Sequence, residues 1–174
     1  MEFDRIFAPY LHAVRIDGVN VFNKIVTDWN NANYLFEYFS KKEQDLKYFN
    51  VSVPDAVRIT RFEINKFRNN LQQILNSKNP NLDQLFSNLD NKEYRTDVEL
   101  SQQKAKPNHK YWLRIYALKI ESNRYVIVGG ALKLKELMDE DEATKKELVM
   151  LNQVRDFLRN EGITDYDGFY ELII

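Results

Sequence analysis

Residues 111–135 read YWLRIYALKIESNRYVIVGGALKLK, the one place in the chain where two dense strand-forming runs meet across a short turn. WLRIYALKI and RYVIV are rich in β-branched and aromatic residues, and Glu121-Ser122-Asn123-Arg124 between them has polar turn chemistry, so the stretch predicts an antiparallel hairpin. In the first run Leu113, Ile115 and Ala117 share one face at period two. Trp112, Arg114, Tyr116, Leu118 and Ile120 share the other. Both faces are mostly apolar, which places the hairpin in the middle of a sheet rather than at its edge. Gly129-Gly130 breaks the second strand as a bulge or kink, and ALKLK then resumes an alternation with Lys133 and Lys135 on one side.

Upstream, YLHAVRI (10–16) predicts a strand ended by Asp17-Gly18. Residues 19–39 keep helical spacing through Phe22, Ile25, Val26, Trp29, Tyr34, Leu35, Tyr38 and Phe39, as one kinked helix or two short ones, with Thr27 or Asp28 as a second N-cap. Ser40 and Glu43 form the S-x-x-E pattern of a capping box before a short helix over 41–49. Ser52-Val53-Pro54-Asp55 starts the longest N-terminal helix, to about residue 77. Its outer face carries Arg58, Arg61, Glu63, Lys66 and Arg68, read as a solvated surface. A short helix is expected over 82–89 and a strand over 94–100, with 101–110 as a polar, basic connection. After the hairpin come an acidic helix start over 138–142, an amphipathic helix ending at Gly162 and a last short helix over 164–172. The expected architecture is a single α+β domain over 1–174. Residues 1–90 are mainly helical with one strand, and 91–174 hold an antiparallel sheet followed by C-terminal helices.

With 174 residues, 44% hydrophobic and 29% charged, the chain suits one well-buried core. No window approaches about eighteen consecutive apolar residues and the N-terminus lacks a signal-peptide pattern, so no membrane association and a cytoplasmic location are expected. Zero cysteines remove disulfides, thiolate metal sites and a cysteine nucleophile. His12 and His109, far apart in sequence, form no metal motif. A G-x-S-x-G elbow, a Walker-type phosphate loop and an H-E-x-x-H motif are all absent.

The net charge of −1 hides a segregation. Residues 101–135 carry eight basic residues against one acid, whereas 136–174 carry four against eleven, read as a solvated acidic helix surface. The cationic, aromatic set comprises Arg95, Lys104, Lys106, His109, Lys110, Tyr111, Arg114, Tyr116, Lys133 and Lys135. Ammonium and guanidinium groups pair with phosphates while rings stack on bases, so this set suits RNA. The competing reading is that the lysines solubilise a sheet and that Arg114 pairs with a carboxylate of the acidic tail.

NPNLDQLFSNLDNKEYR, LSQQKAK, WLRIYALKI-x4-RYVIVGGALKLKELM and TKKELVMLNQVRDFLRNEGI together resemble the RelE/ParE superfamily of toxins from type II toxin–antitoxin systems, in its long Bacteroides-type form. The likeness is densest over 79–163. It implies N-terminal helices packed on a small antiparallel sheet, an antitoxin protein partner, and neither metal nor small-molecule cofactor. RNA-cleaving members act as endoribonucleases on messenger RNA at the ribosome, with basic and tyrosine side chains orienting the 2′-hydroxyl and stabilising the transition state. By position the resemblance assigns catalytic roles to Arg95, Arg114, Lys133 and Lys135, with Tyr116 or Tyr111 stacking a base or relaying a proton. Lys104, Lys106, His109, Lys110 and Tyr111 would contact RNA. The near-neutral total departs from the strongly basic body usual in RNA-cleaving members. It leaves open a gyrase-directed relative or a non-catalytic interaction domain that binds an antitoxin-like protein through the sheet.

Overall fold

A computed structural model describes residues 1–89, 100–135 and 141–174. The central hairpin forms as its composition dictates: β6 (Leu113–Glu121) and β7 (Arg124–Leu132) pair antiparallel, with Asn123 at φ 60° turning the corner. They sit in the middle of a seven-stranded sheet ordered β1-β2-β7-β6-β5-β4. Its outer members are β1 (Glu2–Phe7), β2 (Leu11–Ile16), β4 (Ser87–Asn88) and β5 (Ser101–Ala105), and the two-residue β3 (Val19–Asn20) pairs with β2. The sheet is mixed rather than antiparallel throughout, because β2 runs parallel to β7.

Six α-helices accompany it among the described residues: α1 (Val21–Asn30), α2 (Ala32–Ser40), α3 (Glu43–Leu46), α4 (Val53–Leu75), α5 (Glu142–Asn160) and α6 (Tyr166–Ile173). The chain is thus α+β. Ser52 caps α4 through Asp55 N, as its sequence predicts, and Gly162 takes the left-handed φ of +74° just beyond α5.

Several expectations are corrected. The break between α1 and α2 is capped by Asn31, whose side chain accepts from Tyr34 N, and not by Thr27 or Asp28. Ser40 forms no capping box, since α3 starts after Lys42 without a side-chain cap. Residues 82–89 give a single 3-10 turn (Leu82–Gln84) and then β4, because Asp83 is committed elsewhere. It accepts from Tyr125 Oη at 2.6 Å, Ser122 Oγ at 2.8 Å and Asn123 N at 3.1 Å, and pairs with Lys119 Nζ at 3.3 Å, clamping the hairpin turn. Residues 101–105 are a strand, not a connection, while most of the strand expected over 94–100 lies outside the described residues. The acidic helix start over 138–142 is described only at its last two residues, Asp141 and Glu142. The bulge or kink expected at Gly129-Gly130, by contrast, is present inside β7. The register shifts between Tyr116 and Ala117, opposite Gly129 and Ile127, so Val128 bulges and the strand continues to Leu132.

Both sheet faces are covered at the centre. On one, Trp112, which precedes β6 and so leaves the face it was expected to share with Arg114 and Tyr116, is fully buried, donates Nε1–H to Thr60 Oγ1 of α4 at 2.9 Å, and takes the edges of Phe39 and Phe49. On the other, the buried Asp141 carboxylate accepts from Leu134 N after β7 and from Ala143 N and Thr144 N at the start of α5, tying helix to strand. At the glycine pair helices on both faces come up against bare backbone. A Cβ at Gly130 would lie 2.9 Å from Ile25 Cδ1, 3.0 Å from the Arg114 carbonyl and 3.1 Å from Trp29 of α1, whereas one at Gly129 would fall on the Glu147 carboxylate of α5. Gly130→Ala should therefore destabilise by about 1–3 kcal/mol in chemical denaturation. Gly129→Ala should cost less, because the Glu147 side chain can swing away; a larger loss at Gly129 would contradict this packing.

Candidate functional site

Strand register puts Arg114, Tyr116 and Lys104 on the face that α5 covers. Tyr116 stands opposite Gly129 on one side and Lys104 on the other, and Arg114 stands opposite Ala131. Gln102, on the same face of β5, donates to Asn152 of α5 at 2.8 Å. Arg114 is half-buried and its Nη1 donates to the carbonyls of Tyr111 at 2.9 Å and Leu113 at 2.7 Å. Among the described residues it makes no ion pair, so the acidic-tail partner of the competing reading is not found among them. Burial lowers its pKa, against the nearby Tyr116.

An acid on this face is Glu147, one of the carboxylates expected on a solvated helix surface. Its carboxyl lies over Gly129, and burial pushes its pKa up to about 7. Tyr116 feels the charge of both groups. Burial raises its hydroxyl pKa, Arg114 opposes that rise, and Glu147 and Asp141 add to it. On the other side Lys106 is desolvated and feels the charge of Arg114, both of which lower its ammonium below the usual lysine range. Lys106, Arg114, Tyr116 and Glu147 are therefore in electrostatic contact in sequence along one face. A desolvated carboxyl can serve as a base and an ammonium as an acid toward a phosphodiester held by a guanidinium.

The remaining predicted residues separate. Tyr116 is 1% exposed, so in this arrangement it forms the floor of the face and is not an open platform for a base. Tyr111 packs its ring on Trp112 at 5.4 Å, with Lys110 Nζ 5.4 Å above it. His109 and Lys110 are exposed in the loop before β6. Lys104 Nζ donates to the Leu89 carbonyl at 3.1 Å. Lys133 N donates to the Trp112 carbonyl at 2.8 Å, continuing the β7 ladder, and Lys135 is exposed. Arg95 lies outside the described residues. His12 belongs to the core: it is 1% exposed, meets Phe169 edge-on at 5.1 Å, and burial followed by the Arg5 charge pushes it down to about 4, so it is neutral at pH 7. No group of three or more metal-ligating side chains occurs among the described residues, and none of their helices is long and apolar enough to cross a membrane.

Glu147 was findable. The buried residues of α5 are Thr144, Leu151, Val154 and Leu158, and Glu147 fills the gap in that stripe at three- and four-residue steps. Comparison with protein-family models, with curated proteins and with solved structures gives no match.

A carboxyl whose native pKa is raised keeps its proton longer in the folded chain. Its contribution is complete below the unfolded carboxylate range and is lost as pH rises through about 7. Glu147→Gln, which mimics the protonated acid, should exceed the wild type in unfolding free energy at pH 8 by on the order of 2 kcal/mol. That gap should close by about pH 4.5, as followed by urea titration; a gap independent of pH would show that Glu147 is not the titrating group.

Proposed function

We propose that the protein is an RNA-directed growth inhibitor of the RelE/ParE-like class, an endoribonuclease whose helices frame a central antiparallel hairpin, restrained in the cell by an antitoxin protein. The observation that carries this reading is the desolvated Glu147 carboxyl over Gly129, opposite Tyr116, on the strand face that also carries Arg114, which makes no ion pair among the described residues. Glu147 takes the proton from a ribose 2′-hydroxyl. The oxygen attacks the adjacent phosphorus in line, and Arg114 stabilises the charge that builds on the non-bridging oxygens. Lys106 gives its proton to the departing 5′-oxygen as the P–O5′ bond breaks, leaving a 2′,3′-cyclic phosphate and a 5′-hydroxyl. Tyr116 is a positioning residue that feels the charge of both Arg114 and Glu147. Only part of the expected cationic set enters this scheme.

Purified protein should cleave single-stranded RNA to cyclic-phosphate ends with a bell-shaped rate profile whose rising limb is centred near pH 7. Glu147→Gln and Arg114→Ala should each lower the rate by about 10²-fold or more. They should also relieve growth arrest on induced expression. Unchanged cleavage and equal toxicity in both variants would remove the assignment. Absence of any cleavage or arrest, joined to tight binding of an antitoxin-like protein, would favour a non-catalytic interaction domain.

A further inference from the structure

A groove of about 1290 Å³ lies on the other side of Lys106, between the outer face of α4 and the edge formed by residues 84–87 and 105–109. That exceeds the ~300–1,000 Å³ of small-molecule sites and suits an extended ligand. Among the described residues Arg58, Arg61, Lys66, Lys106 and His109 line it, against one acid, Glu63. Arg58 is engaged by Asp55 at 3.6 Å, whereas Arg61 and Lys66 are exposed with no ion pair among the described residues. Phe62 is 62% exposed in the same lining, with Lys66 Nζ 6.0 Å above its ring. A lone cationic rim would be a solvated helix face. The floor makes it more than that.

Glu63 is 4% exposed, and its Oε2 has no hydrogen-bond partner among the described residues. Among the described residues its Oε1 accepts one long 3.4 Å bond, from the Asn108 side-chain amide in the loop above. A buried carboxylate oxygen without a donor is an unmet demand for one. The amide of Asn108 already imitates the exocyclic amine of a nucleobase at the neighbouring oxygen. Asn65, Asn69, Gln73 and Gln84 add side chains that both donate and accept, as base edges require.

We infer that this groove binds single-stranded RNA, with an amino-bearing base edge donating to Glu63, a neighbouring base on Phe62, and phosphates along Arg61, Lys66 and Lys106. An acidic peptide would satisfy the rim but place its carboxylates near buried Glu63, so the floor favours RNA. Uracil has only one N–H on its pairing edge, flanked by two carbonyls that a carboxylate repels. The site therefore prefers adenine, cytosine or guanine. The inference rests on the RNA-directed reading and deepens it, since Lys106 borders both the groove and Arg114 and would pass the strand from one to the other.

The test is fluorescence anisotropy of the full chain with 2′-O-methyl octamers of A, C or U, which lack the attacking hydroxyl and report binding without cleavage. The expected result is that oligo-U binds about tenfold more weakly than oligo-A or oligo-C, and that Glu63→Gln narrows the difference. Arg61→Ala combined with Lys66→Ala, both exposed positions, should weaken all three about tenfold or more and reduce the salt slope by roughly 2. Wild-type affinity in that double variant would overturn the groove, as would binding of an oligo-glutamate octamer in preference to RNA. If groove variants lose binding while Glu147→Gln still cleaves, the catalytic reading fails and the groove stands; if they bind as wild type while Glu147→Gln is inactive, the reverse holds.

Discussion

The structure depends on burying both faces of one hairpin. Because β6 and β7 are apolar on each side, helices must cover each side, and Gly129-Gly130 is where α1 and α5 come close enough that side chains would collide. That same crowding places the Glu147 carboxyl over bare backbone, removed from water, and its raised pKa follows from position rather than from a charged neighbour. A requirement of packing thus creates the most chemically unusual group on this face.

The polar ends of the hairpin do the rest of the positioning. Asp83 grips the turn, and Arg124 beyond it lies 4.9 Å over Tyr166 and 5.4 Å over Tyr10, while Glu121 accepts from Tyr166 N at 3.1 Å. The charge that is concentrated in sequence over 101–135 is therefore dispersed in space. Lys119 and Arg124 are paired at the turn, Arg114 lies under α5, and Lys106 and His109 border the α4 groove. A local sum of charges along a strand pair says little about a surface, since neighbours in sequence alternate between faces.

The central hairpin, its turn, α4 with its Ser52 cap and the Gly162 stop were legible, because each rests on local propensity or on periodicity with a single physical meaning. What escaped was decided by distant partners. β5 carries buried glutamines, Gln102 bonded to Asn152 and Gln103 to Asn88 and Ser101, so its interior positions are polar in sequence and satisfied only by the fold. Edge strand β1 has mixed exposure and little alternation to read. Of the candidate site, Arg114 and Tyr116 were legible from strand alternation, though not the burial of the tyrosine. Glu147 and Glu63 were hidden among ordinary helical acids, and only their places on buried helix stripes distinguish them.

The most direct measurement is the titration of the Glu147 side-chain carboxyl carbon by NMR in the full chain. The midpoint should lie near 7 and return to the ordinary carboxylate range in Gly129→Ala, where the added methyl displaces the group from its seat. A wild-type midpoint near that of a free glutamate would mean that the carboxyl is solvated, and would contradict both its burial over the bulge and the chemistry built on it.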